Sequence, residues 1–208
     1  MHSLLLLCGV ASALVYVVTD ITAGLAYPGY DFADQAVSEL FAIGAPTSRP
    51  VALLFSVSSL LLIGFAYGVW TSAARSKRVR LLATMFASSA LVGLVLWNIF
   101  PMHMRGASKT LTDTMHLIFA TNPFVVLTLV TGMIAFGGWF RWFTLATTLG
   151  MVVLAILAFR HAAALGADLP TPGLGLNERA SQYSYLLWQV GLSMFLLWQR
   201  GAASQELK

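Results

Sequence analysis

The stretch Tyr27–Pro50, YPGYDFADQAVSELFAIGAPTSRP, is polar and acidic, and it lies between two apolar runs, Leu4 to Ala26 and Val51 to Ala73. A helix needs roughly 20 apolar residues to cross a hydrocarbon core, and each flanking run is long enough. The stretch therefore reads as a loop at one membrane face. Outward from it the pattern repeats, with further apolar runs over Leu81 to Phe100, His116 to Gly137, Phe143 to Leu165 and Gln182 to Gln199. Lipid tolerates only segments that satisfy their own backbone polar groups, and these runs lack the alternation of barrel strands, so all six are expected to be helices. The expected fold is all-α: a polytopic six-transmembrane-helix bundle, one domain over residues 1–208, with a short amphipathic helix in the first outer loop.

Composition agrees. Of 208 residues, 58% are hydrophobic and 10% charged, and the mean hydropathy is +0.79, far from the roughly 25% charged residues of soluble domains. The net charge of +4 sits in short connections without an aromatic-basic patch, which excludes a nucleic-acid partner and leaves the lipid bilayer. Met1-His2-Ser3 carries no Lys or Arg, and the apolar run continues past Ala11-Ser12-Ala13, so the first run is read as an uncleaved helix rather than a signal peptide. Cys8 stands alone and forms no intrachain disulfide.

Basic residues orient such bundles toward the cytoplasm. Arg75, Lys77, Arg78 and Arg80, then Arg141, then Arg200 and Lys208 mark the cytoplasmic connections and both termini of a protein of the cell membrane. Trp70, Trp139, Trp142 and Trp198 fall at the same inner ends, as an interfacial belt does. The acids Asp31, Asp34, Glu39, Asp113, Asp168 and Glu178 gather at the other face, with Asp20 in the outer half of the first span and Glu206 alone inside.

This outer face carries the chemistry. Asp31 can cap a helix that Gly44 and Pro46 end; Ala33, Val37, Leu40 and Phe41 would share its apolar side, with Asp34, Gln35, Ser38 and Glu39 around the rest. Asp20 lies in an apolar run, where a carboxylate costs roughly 3 kcal/mol, and it needs a partner: Arg160, Arg179 or His161. Asp113 and His116 stack on the first turn of the fourth span, capped by Thr110 or Thr112, and together with His103 could hold zinc or another divalent metal, or act as an acid-base pair. No HExxH, HxxxH or CxxC accompanies them. Asn98 with Pro101 and Asn122 with Pro123 mark local irregularities, while Gln182, Tyr185 and Gln189 draw a polar stripe down the last span.

YPGY and SELFAIGAPTSRP after the first span, FP with a downstream TDTMH, and LNERASQYSYLLWQ opening the last span together resemble the DUF998 family of bacterial and archaeal integral membrane proteins, over nearly the whole chain. The resemblance implies a six-helix membrane protein of undefined activity. In residue type, Ser38, Asp113, His103 and His116 echo the ceramidase-like membrane hydrolases, but the late HxxxH pair of that pattern is absent.

Two functional expectations follow. In the first, an outward-facing polar pocket uses Glu39, Asp113, His116, Glu178 and Arg179 for metal-assisted or acid-base hydrolysis or transfer on a lipid-like substrate, with Asp20, Ser38, Asn98, Tyr185 and Gln189 in the pocket. In the second, the stripe and Asp20 form a cavity for a transported solute or proton, or a binding surface for a membrane partner. A transmembrane heme pair is excluded because His103, His116 and His161 belong to one end. Gly64 and Gly68 offer a small-residue face through which copies could associate.

Overall fold

A computed structural model describes residues 2–73 and 76–205; Arg75, Glu206 and Lys208, which enter the topology reading, lie outside them. Nine α-helices are named among the described residues: α1 His2–Ala26, α2 Ser48–Ser72, α3 Lys77–Leu91, α4 Trp97–Ile99, α5 Leu111–Ala120, α6 Pro123–Ala135, α7 Gly138–Phe159, α8 Ala162–Gly166 and α9 Leu174–Gln205. Among the described residues five stretches are long and apolar enough to cross a membrane: His2–Ala26, Ser48–Ser72, Lys77–Ile99, Leu111–Ala135 and Gly138–Gly166. The chain is a multi-pass membrane protein. Helix α9 is 32 residues long but less apolar in composition, and its polar residues Gln189 and Ser193 are fully buried.

The helices close a ring in chain order. Helix α1 packs on α2, α2 on α3, α3 on α6, α6 on α7, α7 on α9, and α9 returns to α1. Short links make successive helices antiparallel neighbours, as in up-down bundles. One end of the ring is filled by Phe65, Phe86, Phe140, Leu82, Leu129, Trp188 and Leu192, all fully buried. Phe65 meets Phe86 edge-on at 5.0 Å, Phe86 stacks on Trp188 at 5.9 Å, and the Trp188 indole donates to Thr144 Oγ1 at 2.9 Å. His2 bonds Thr71 and Arg141 donates to Met133 O, so the amino terminus shares this end with the α2–α3 and α6–α7 links.

At the other end the three remaining connections meet. Ile43 N donates to Met102 O at 2.8 Å within a parallel bridge between Ile43 and His103, and Thr171 Oγ1 donates to Asp34 O at 2.7 Å.

Two elements differ from the sequence reading. The first connection does not form a helix from Asp31 to Gly44; it holds a 3-10 helix, Val37–Phe41, while Asp31 caps the Ala33 N–H in a turn. The carbonyls that an α-helix would need are given away to α9: Ala33 O to Leu176 N, and Phe32 O and Gln35 O to Arg179. The fourth apolar run starts at Leu111 and breaks at Asn122, whose φ is +20°. Pro123 has no N–H to continue the helix and forces its predecessor out of the α region, and Asn122 Nδ2 instead bonds Ser89 Oγ at 3.1 Å. A π-helical turn, Val92–Leu96, joins α3 to α4.

Gly132 on α6 is where the Trp188 indole fits: a Cβ there would lie 2.6 Å from its Cζ2. Gly132→Ala is therefore expected to lower stability by about 1–3 kcal/mol through overpacking, read as a lower melting temperature in detergent. Gly150→Ala, with open space at the same test position, serves as the neutral control.

Candidate functional site

The roof of the ring is held by two buried charge pairs. Asp20 on α1 is fully buried and takes Arg179 in a fork, Nε to Oδ2 at 3.0 Å and Nη2 to Oδ1 at 2.9 Å. Nη1 donates to Phe32 O and Gln35 O, and Nη2 also to Tyr30 Oη at 2.6 Å. All five guanidinium N–H donors are thereby used. Tyr183 Oη donates to the same carboxylate. Burial pushes the Tyr30 hydroxyl above its ordinary range, so it stays protonated and donates to Ala36 O at 2.7 Å. Gly175 makes the approach possible, since a Cβ there would lie 2.2 Å from Gln35 O.

The second pair joins the first connection to the second. Arg105 Nε meets Glu39 Oε2 at 2.6 Å and Nη2 meets Oε1 at 2.9 Å; Nη2 also reaches Asp34 O and Thr171 Oγ1. Bonding to Glu39 raises the Arg105 guanidinium above its ordinary value. Glu39 accepts further from Ala36 N at 2.7 Å, and Asp34 Oδ1 from Gly173 N at 2.8 Å. Glu178 Oε2 accepts Val37 N at 3.0 Å. Glu39 and Arg179, expected as catalytic groups, have their charges and hydrogen-bonding capacity committed to holding loops. Neither lines the cavity described below.

The metal expectation also changes. Asp113 accepts His103 N at 2.7 Å and Thr110 N at 2.8 Å, and contacts His103 Nδ1 at 3.0 Å. It is the third-residue member of the capping box whose N-cap is Thr110, and it anchors the preceding loop. His116 turns elsewhere, Nδ1 to Phe100 O at 2.9 Å, with its ring against Phe41 and Trp97. Among the described residues no three His, Cys, Asp or Glu side chains are grouped to hold a metal.

Beneath the roof lies a cavity of about 950 Å³. It is bounded by α1, α2, α3, α5, α6, α7 and α9, and its walls are mostly apolar, represented by Phe41, Phe55, Leu117, Val126, Ala155 and Ile156. The polar pocket expected from the sequence is thus a largely apolar one. Ser38, Asp113, His116, Glu178, Tyr185 and Gln189 line it; Asp20 and Asn98 do not. Asn98 bonds Ser56 Oγ and Leu94 O instead.

Four buried side-chain atoms among the described residues have no hydrogen-bond partner, Trp97 Nε1, Asn122 Oδ1, Tyr185 Oη and Gln189 Oε1, and all four residues line this cavity. The Tyr185 hydroxyl lies beside Thr128, whose own hydroxyl donates to Phe124 O. A carbonyl can only accept, so His116 Nδ1 carries the proton in its bond to Phe100 and Nε2 keeps a lone pair. Nε2 has no protein partner among the described residues. Trp97 and the pairing of Arg105 with Glu39 were missed by sequence reading; both are long-range meetings with no local signal.

The cavity is closed toward the Phe65, Phe86 and Trp188 end. Its lining includes residues of both α5 and α7, and α5 packs thinly on the π turn and α4 with no substantial packing on α7, which leaves a gap at the side. Leu117, Ile156 and Phe159 border that gap and are exposed.

A family model described as a protein of unknown function (DUF998) matches residues 10–194. No curated protein and no solved structure matches the chain.

Removing one partner of a buried pair leaves an uncompensated charge. Arg179→Leu is expected to cost about 3–5 kcal/mol, with loss of folded protein in detergent by size-exclusion chromatography. The double variant Asp20→Leu with Arg179→Leu should recover part of that loss. Equal damage in both would mean that the pair is not what holds the roof.

Proposed function

The chain belongs to the DUF998 family, and from that premise we propose that it is a single-domain, six-span protein of the cell membrane, both termini cytoplasmic, which binds a lipid-like amphiphile in the cavity under its roof. The observation that carries this reading is that four unpartnered buried polar atoms belong to the walls of one largely apolar cavity. Leaving such a group unsatisfied costs about 1–3 kcal/mol each. An apolar chain with a polar end supplies both the bulk for the walls and the partners for those atoms. The sideways gap between α5 and α7 lets such a molecule enter from the bilayer without crossing water.

Helix α9 is the sixth span: at 32 residues it exceeds the thickness of the core, and its polar stripe is buried among its neighbours, as intramembrane polar residues require. Orientation is supported by the charge pairs. Arg105 and Arg179 are consumed at the roof, which leaves Arg49, Lys109 and Arg160 there against Lys77, Arg78, Arg80 and Arg141 on the opposite side. A through-pathway for a solute is disfavoured by the aromatic plug at Phe65, Phe86, Phe140 and Trp188.

A second reading, in which the bound amphiphile is also turned over, rests on His116. Its Nε2 lone pair stands at the cavity wall, and Ser38 shares a face with Phe41 at the three-residue repeat of the 3-10 helix, whose ring contacts His116. A base so placed could take a proton from a hydroxyl.

Native mass spectrometry of protein released from membrane-scaffold discs is expected to show about one amphiphile retained per chain. Ala155→Trp, which fills the cavity, should lower that occupancy by roughly tenfold without lowering the melting temperature. Equal retention by both proteins, or none by either, overturns the binding reading. Turnover predicts product mass in the retained lipid that disappears in His116→Ala.

A further inference from the structure

We propose that the occupant is an anionic phospholipid, its phosphate held between Lys109 and Arg160 at the top of the α5–α7 gap. This rests on the cavity reading above and adds the chemical class of ligand. Lys109 stands just before α5 and Arg160 just after α7, so the two cations flank the gap on either side, and both line the cavity.

Charge pairing and position on the cavity together single them out. Of the arginines here, Arg105 is taken by Glu39 and Arg179 by Asp20. Lys109 and Arg160 have no carboxylate partner among the described residues; Arg160 Nε donates to His161 Nε2 at 3.1 Å, and the lysine stem lies over Gly166, where a Cβ would sit 2.2 Å from its Cε. Gly166 thus leaves the lysine free to reach along the rim.

The nearby acids are engaged or turned aside. Asp113 caps α5 and binds His103, Glu178 accepts Val37 N, and Asp168 lies against Gly106 on the Arg105 side. The rim therefore presents two cations at headgroup level above an apolar chamber. In a bilayer the tails gain little from leaving lipid for an equally apolar wall. Selectivity must come from the polar end, and a phosphate matches a guanidinium fork and an ammonium. Two cations beside an anionic headgroup are together enough to choose among lipids.

The test is a lipid competition read by native mass spectrometry, with equimolar phosphatidylglycerol and phosphatidylcholine offered to delipidated full-length protein. The wild-type chain is expected to retain phosphatidylglycerol in preference by about tenfold. Lys109→Ala with Arg160→Ala should abolish the preference while still retaining lipid. Lys109→Arg with Arg160→Lys should keep it, which guards against a folding artefact. Arg49→Ala removes a cation of the same end that lies outside the cavity and should change nothing. An equal preference in the double alanine variant, or no preference in wild type with lipid still bound, overturns the phosphate assignment and leaves the cavity reading standing. Failure to retain either lipid overturns both. Displacement of the lipid by millimolar inorganic phosphate would identify a soluble phosphate as the ligand and likewise overturn the proposal.

Discussion

A carboxylate in the apolar part of a helix is stable only with a partner that also satisfies its lone pairs, and Asp20 imposes that condition on the whole molecule. Its partner, Arg179, stands 159 residues later on the last helix, so meeting the condition closes the ring between first and last helices. The same guanidinium then takes the carbonyls of Phe32 and Gln35, which stops the first connection from winding into an α-helix and lays it across the bundle. Gly175 supplies the space. The buried pair thus shapes the first connection, helps close the ring together with the Gln189 and Ser193 bonds to α1, and shares the roof with the Arg105–Glu39 pair.

Once the roof is in place, the charges at this end divide. Those in the roof are paired, desolvated and held by several bonds each, which suits scaffolding and leaves them little capacity for reaction. What faces the chamber is mostly uncharged: aromatic and aliphatic walls, with amide, indole and hydroxyl atoms lacking partners. His116 belongs with this second group, its proton position set by the Phe100 carbonyl. The two rim cations complete a layout in which polarity increases from the plugged end of the ring toward the connections.

Much of this was legible in the sequence and part was not, for physical reasons. Apolar run lengths located the first three helices closely, because crossing a membrane depends on length and composition, whereas α7 and α9 are displaced or extended by polar ends that the runs exclude. The need of Asp20 for a partner, with Arg179 among the candidates, followed from its apolar surroundings. The stripe of Tyr185 and Gln189 was visible by periodicity and does line the cavity. By contrast, the amphipathic period over Ala33, Val37, Leu40 and Phe41 pointed to an α-helix that tertiary bonds override. Glu39, Asp113 and His103 read as reactive because a sequence shows residue types and hides their partners. Arg105 meets Glu39 across 66 residues, and no local pattern announces it.

The most direct measurement is an experimental structure of the protein in a lipid disc, examined at the chamber between α5 and α7. The account predicts elongated density running from the chamber beside Tyr185 and Gln189 out through the gap bordered by Leu117 and Ile156, under a roof in which Arg179 still forks onto Asp20. A chamber collapsed so that α5 packs fully on α7, or one filled by ordered water alone, would contradict it.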